Sequence, residues 1–316
     1  MNFWQILAAV APVFLIIGTG SFLRLMGWMK PEADSSLLKI GVNVLFPALI
    51  TDTILGNHLL SRAADLWMPP LLGFALIAIS FLCMMLLLKP LRLPEDTFRA
   101  GIVSAGMQNY GYLVIPLVES LYDRETLGVL FLHNLGVETA MWSLAVWILS
   151  NGRAGSFWRH VLNIPVLAII CSGVLNLLQA QQWLPSFFRK SVHLLGQAAI
   201  PLALLLTGAT LYDLAMQRTN GKTTVSGISV ALLARLILLP MLFLFAVKAI
   251  PMGTPLQRVL ILQAAMPSAM MPAVLCRLHG SDARFSLQII LATTFIGLLS
   301  IPLWLKFGLN WFALAH

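Results

Sequence analysis

The chain has 316 residues, 59% of them hydrophobic and only 10% charged, with a mean hydropathy of +0.87. Soluble domains carry about 25% charged residues, so a water-soluble fold of this length could not hide so much apolar surface; the class is an all-α, multispanning membrane protein. The formal charge of +8 is spread over short loops with no dense Lys/Arg patch, which excludes nucleic acid as the partner and reads as a topology signal.

Ten candidate spans follow one another, at about residues 4–26, 36–55, 67–88, 98–118, 126–149, 161–180, 192–212, 225–247, 257–277 and 284–310. The first has no basic stretch ahead of it, and its end, Gly27-Trp28-Met29-Lys30, is not a cleavage site of the Ala-x-Ala kind; it is expected to be a retained span. The second holds Asn43 four residues before Pro47, and the seventh holds Gln197 four residues before Pro201. One helical turn separates each amide from its proline, so the amide either satisfies loosened backbone or lines a solute path. Asp52 and Asp213, at the ends of these two spans, read as interfacial residues, with ion gating as the second reading. Pro90 and Pro94, Asn151-Gly152 and Asn220-Gly221 mark connections. Cys83, Cys171 and Cys276 sit in or beside apolar runs with no metal or redox spacing.

The fourth and ninth spans interrupt themselves. The fourth carries Gln108-Asn109-Tyr110-Gly111 and Pro116; the ninth carries Gln263, Pro267, Ser268 and Pro272. Proline removes a backbone donor and clashes with the preceding turn. Freed backbone groups are tolerated at membrane depth only where protein or a watery cavity satisfies them. Gln108, Asn109, Gln263 and Ser268 add donors and acceptors there, and Gly111 permits another backbone to approach. If the breaks meet, half-helix N-termini can hold an anion and half-helix C-termini a cation. The plainer reading is a pair of kinked structural helices, since proline is ordinary in membrane helices.

Two charges are deeply placed: Glu138 in the fifth span, with His133 and Asn134 one turn earlier, and Arg235 in the eighth. Intramembrane charges face the bundle interior or a watery path. Arg235 suits a carboxylate. Glu138 could pair with Arg235, bind a cation or take a proton. A buried structural ion pair is the alternative.

Loop charges set the topology. Twelve basic residues fall in the loops after odd-numbered spans and seven on the opposite face. The positive-inside rule then puts odd-numbered loops in the cytoplasm and both termini outside. The halves, 1–150 and 151–316, also repeat: Pro12, Gly20, Trp28, Pro31 and Pro47 are echoed by Pro165, Gly173, Trp183, Pro185 and Pro201, and Gln108 and Pro116 by Gln263 and Pro272. Five spans per half is odd, so the second half enters the membrane in the opposite sense, an inverted repeat. Gly18, Gly20 and Gly173 are expected to allow close helix packing.

No GxxxxGK[ST] loop, HExxH pair or GxSxG elbow is present. The reading is therefore not an enzyme, with no cofactor and no metal; energy would come from an ion gradient, the membrane potential or the solute's own gradient.

With these residues in place, the chain resembles the auxin efflux carrier family of bacterial permeases and, more distantly, the plant PIN proteins. The resemblance spans almost the whole chain. It is carried by Asn43 to Pro47, by Gln108-Asn109-Tyr110-Gly111-Tyr112 to Pro116, and by Gln263 to Pro272. It implies ten spans in two inverted five-helix repeats whose fourth and ninth helices cross at proline-containing breaks. It places Asn109, Pro116 and Pro272 at the crossing and turns Asn43 toward it. It also implies an organic anion as substrate: malonate, malate and related dicarboxylates in bacteria, indole-3-acetate in plants. Unlike the plant proteins, the chain lacks a long central hydrophilic loop, and its ninth span has no asparagine to match Asn109.

The expectation is a secondary permease of a small mono- or dicarboxylate in the bacterial inner membrane, coupled to H+ or Na+ or driven by potential. A unit built on the crossed helices would move against spans one, two, six and seven. A homodimer is compatible with the chain. The other class kept open is a membrane-embedded ligand sensor without net transport.

Overall fold

The computed structural model describes residues 3–58, 66–152, 163–216 and 224–312. Arg62, Arg153, Arg159, Arg218 and Lys222, which are among the basic residues counted for topology, and the Asn220-Gly221 connection lie outside the described residues. The helices are α1 (Phe3–Leu25), α2 (Pro31–Ile54), α3 (Met68–Leu91), α4 (Glu95–Gly106), α5 (Val114–Leu121), α6 (Arg124–Leu149), α7 (Ile164–Leu177), α8 (Ser186–Met216), α9 (Val225–Ala249), α10 (Thr254–Ala265), α11 (Met271–Leu278) and α12 (Ala283–Trp311). Seven of them are long and apolar enough to cross a bilayer: α1, α2, α3, α6, α8, α9 and α12. The fold is therefore an all-helical multi-pass bundle. α7 is a shorter apolar helix. The fourth and ninth candidate spans appear as two short helices each, α4–α5 and α10–α11, separated by non-helical chain at 107–113 and 266–270.

The prolines explain the local geometry. In α2, the Phe46 N–H donates to the Gly41 carbonyl, five residues back, just before Pro47. In α9, the Leu239 N–H does the same to Ala234 just before Pro240. Proline cannot donate and its ring collides with the carbonyl four residues behind it. A widened π turn moves that carbonyl aside while the helix continues. These π turns carry Asn43 and Arg235. Pro116 and Pro272 behave differently. Each sits in the first turn of a half-helix, α5 or α11, where the missing N–H would have been unsatisfied anyway. They start half-helices; the breaks lie upstream of them.

The helices associate in two groups. α1 packs along α8, and α2 packs on both α7 and α8. Around the breaks, α3 packs on α6 and α4, α9 on α10 and α12, α10 on α6 and α12, and α4 on α12 and α11. Glycine sets the closest approaches. A Cβ added to Gly208 would overlap the Ile17 carbonyl, and one on Gly20 the Leu205 carbonyl, so α1 and α8 touch backbone to backbone. Gly73 and Gly136 do the same for α3 and α6 against the His133 and Pro70 carbonyls. Gly18 and Gly173, expected to act likewise, have nothing within 4 Å of such a Cβ and make no close contact.

Candidate functional site

The two breaks meet. The Asn109 N–H donates to the Pro267 carbonyl at 2.7 Å, and the Ala269 N–H donates to the Met107 carbonyl at 2.9 Å. Gln108 and Ser268 therefore face each other in an isolated antiparallel β-bridge within an otherwise helical bundle. Backbone groups released by the two helix ends would be costly in a membrane interior; here four of them satisfy one another. The flanking helices cross: α5 packs on α10 and α11 on α4.

Side chains complete the crossing. Asn109 Oδ1 accepts from the Leu113 N–H at 3.2 Å and so caps the entry to α5. Asn134 on α6 donates to the Tyr110 carbonyl at 2.7 Å and accepts from Gln263 Nε2 at 3.2 Å, linking both breaks to one helix. The Ser268 N–H donates to Thr293 Oγ1 on α12 at 3.2 Å. From α2, the Phe46 ring meets Tyr112 edge-on at 6.2 Å.

Several buried groups at the crossing have no hydrogen-bond partner among the described residues. Both ends of the Gln108 amide, Gln263 Oε1 and the Ser268 hydroxyl are in this state, and all three residues are almost fully buried. Buried polar atoms are normally paired, so these atoms keep unused hydrogen-bonding capacity at the crossing. Gly111 is half-buried, and a Cβ there would meet nothing within 4 Å. This corrects the sequence expectation: Gly111 leaves open space beside the break, and no backbone approaches it.

Glu138 does not pair with Arg235. Its carboxylate accepts from the Tyr110 hydroxyl at 2.7 Å and from Trp142 Nε1 at 2.9 Å, and the Asn163 side chain also reaches it. Glu138 is thereby tied to the break through Tyr110. Arg235 is fully buried, and neither Nε nor either terminal nitrogen has a partner among the described residues.

The structure gathers Gln108, Asn109, Gly111, Gln263, Pro267 and Ser268 at the crossing and sets Pro116 and Pro272 at the mouths of its half-helices. It leaves Asn43 out: the side chain is exposed on α2 and makes no hydrogen bond to either break. Gln197 is also exposed and bonds to His193 at 3.0 Å. Gln108 and Gln263 are not structural equivalents. Gln108 lies within its break, while Gln263 lies in the last turn of α10. Ser268 stands opposite Gln108, and Ala269, whose N–H bonds across the bridge as that of Asn109 does, holds the place where a matching asparagine was missing. Thr293 and Trp142 join the crossing but were not singled out, and Tyr110 was named only as part of the break motif. A threonine or tryptophan in an apolar helix carries no local signal, though the i, i+4 spacing of Glu138 and Trp142 puts them on one face.

Known proteins resemble this chain over almost its whole length. A sequence model described as "Membrane transport protein" matches the chain twice in succession, over residues 5–157 and 155–305. An uncharacterized transporter of Methanocaldococcus jannaschii is 25% identical over 301 residues, covering 92% of this chain and 95% of the relative. An uncharacterized transporter of Methanothermobacter thermautotrophicus is 26% identical over 299 residues, covering 93% and 96%. With two tandem matches and two broken helices tied at one bridge, the chain belongs to the membrane transport protein family, the auxin efflux carrier group that its break motifs resemble.

Proposed function

We propose that this membrane transporter is a secondary carrier of small organic anions, and that the solute binds where the two breaks cross. The observation that carries the reading is the Gln108–Ser268 bridge with its unpartnered amide and hydroxyl. Interrupted helices that meet inside a membrane bundle leave polar groups where lipid cannot satisfy them, which is how solute sites in transporters are built. The N-terminal ends of α5 and α11 add partial positive charge suited to a carboxylate.

The architecture in this reading is ten spans in two inverted repeats, with α4–α5 and α10–α11 each counted as one broken span. The packing supports it. α1 lies on α8 as α7 lies on α2; α3 lies on α6 as α9 lies on α12; α10 lies on α6 as α4 lies on α12. Exchanging the halves maps each pair onto another. The group α1, α2, α7 and α8 serves as scaffold, and the crossed-helix group slides or rocks against it. The membrane is the bacterial inner membrane, with both termini outside. Glu138 is the acid placed to couple H+, through its contact with Tyr110.

Purified protein in liposomes tests the reading. Labelled malonate, malate or indole-3-acetate is expected to enter saturably and to exchange with unlabelled solute by counterflow. A sensor would bind without exchange. Absence of saturable flux of any organic anion in either direction overturns the carrier reading.

A further inference from the structure

Arg235 is a cation in search of a ligand. Its side chain is fully buried, and none of its three nitrogens has a hydrogen-bond partner among the described residues. The acid nearest in role, Glu138, is occupied by Tyr110 and Trp142. Burying a guanidinium without compensation is among the most costly arrangements in a protein, and in membranes such groups mark solute paths.

Its depth matches the crossing. α9 and α12 begin side by side, since a Cβ on Gly227 would lie 2.9 Å from the Phe285 ring. Arg235 lies eight residues beyond Gly227, and Thr293 lies eight residues beyond Phe285. At about 1.5 Å per residue both sit about 12 Å further along. Thr293 is the residue that receives the Ser268 N–H. The π turn carrying Arg235 also packs on α4 and α12, the helices that adjoin the two breaks.

We propose that Arg235 is the anion-holding group of the site and that the ligand enters with one ionised carboxylate. This rests on the carrier reading for the location of the ligand. The planar guanidinium fork matches a carboxylate through two parallel hydrogen bonds. One cation with no ion-paired acid among the described residues balances one negative charge. The free Gln108 amide and Ser268 hydroxyl are neutral, and they suit a hydroxyl, carbonyl or amide of the same solute. A second ionised carboxylate would stay unmatched, with the Glu138 carboxylate of α6, tied to the break through Tyr110, to repel it. The preferred class is therefore a monocarboxylate bearing a neutral polar group.

The test uses the full chain purified in detergent at pH 7, with thermal unfolding as readout. The probes are lactate, indole-3-acetate, malate, lactamide and chloride. A monocarboxylate is expected to raise the unfolding temperature saturably, malate to need at least about tenfold higher concentration, and lactamide to do nothing. Arg235→Gln is expected to abolish the carboxylate shift, and Arg235→Lys to weaken it about tenfold, because an ammonium cannot reproduce the fork. Protection by lactamide equal to that by lactate, equal protection by chloride, no shift with either monocarboxylate, or a full shift in Arg235→Gln each overturns the proposal. The lactate–lactamide comparison needs only the unaltered protein, so it decides even where Arg235→Gln does not fold. Counterflow that survives Arg235→Gln removes this proposal and leaves the carrier reading. An Arg235-dependent shift with no counterflow does the reverse.

Discussion

The Asn109 N–H and the Pro267 carbonyl, 2.7 Å apart, join two helices that each stop in mid-bundle. The bond makes the two breaks one structural object. The reciprocal Ala269–Met107 bond fixes their register, and a buried N–H left without its acceptor, or an acceptor without its N–H, costs about 1–3 kcal/mol. Ala269→Pro deletes that donor while leaving a small apolar residue. Counterflow in liposomes is expected to fall below about a tenth of the parent rate, with a loss of about 1–3 kcal/mol in stability. Ala269→Ser keeps the N–H and is expected to retain flux. Equal activity of the proline variant would show that the bridge does not organise the site.

Glycine separates packing from space. At Gly136 and Gly208 an added methyl would overlap a neighbouring helix carbonyl. Gly136→Ala and Gly208→Ala are each expected to destabilise by about 1–3 kcal/mol, the usual cost of overpacking, measured by thermal unfolding in detergent. Gly111→Ala meets nothing within 4 Å. It is expected to fold normally and to raise the half-saturating solute concentration by filling the space beside the break. A folding defect at Gly111, with none at Gly208, would reverse this assignment.

Much of this site is legible in the amino-acid order, and the limits are physical. Gln108-Asn109 and Pro267-Ser268 announce interruptions because proline and side-chain amides oppose an unbroken apolar helix. Composition alone identifies membrane helices. Partnership is not written locally. Gly18 and Gly20 lie two residues apart, yet only Gly20 meets another backbone; which face of a helix is covered depends on the neighbour. Asn43 and Arg235 both ride π turns ahead of a proline, but one is exposed and the other fully buried. Gln108 and Gln263 match in offset without matching in role, because the bridge pairs Gln108 with Ser268 across the bundle.

Asp52 links the two helix groups. Its carboxylate on α2 is bound by Arg124 of α6 and by His193 Nδ1 of α8 at 2.9 Å. These residues line a cavity of about 310 Å³ with Glu119, Tyr122, Asp123 and Gln197. On the other face, Arg24 pairs with Asp34 and, at 3.2 Å, with Asp213, all within the scaffold helices and their connections. The Asp52 contact must break if the crossed group moves against the scaffold. Arg124 is well exposed, so the pair contributes about 0.5–1 kcal/mol. Asp52→Asn is therefore expected to raise the maximal counterflow rate about threefold, the factor that such an energy allows. An unchanged or slower rate removes the latch from the mechanism.

Asp123 makes stability at this face depend on pH. It caps α6, with Oδ1 accepting from the Thr126 N–H at 2.7 Å and the Thr126 hydroxyl at 2.8 Å, and Oδ2 accepting from Arg258 at 3.2 Å. Partial burial pushes its carboxyl upward, but the Thr126 hydrogen bonds and the Arg258 charge outweigh that and hold it below the usual carboxylate value. A depressed folded pKa gives stability that is present above the unfolded value, about pH 4, and lost as pH falls through the folded one. Asp123→Ala is expected to cost about 1 kcal/mol at pH 7. The difference from the parent should shrink below about pH 4. A constant difference down to pH 3 would show that the cap acts without its charge.

Glu138 tests coupling separately from binding. Its two oxygens are held by the Tyr110 hydroxyl and Trp142 Nε1, so Glu138→Gln keeps the shape and the acceptor for one of them while removing the ionisable proton. If Glu138 carries H+, the variant should still exchange labelled for unlabelled solute in counterflow, since exchange needs no net proton movement. It should fail to accumulate solute when a pH gradient is imposed across the liposome. Tyr110→Phe removes the link to the break and leaves the acid, so it is expected to impair coupling less than Glu138→Gln. Gradient-driven accumulation that continues in Glu138→Gln at the parent level excludes the proton role and assigns the driving force to the membrane potential or to another ion.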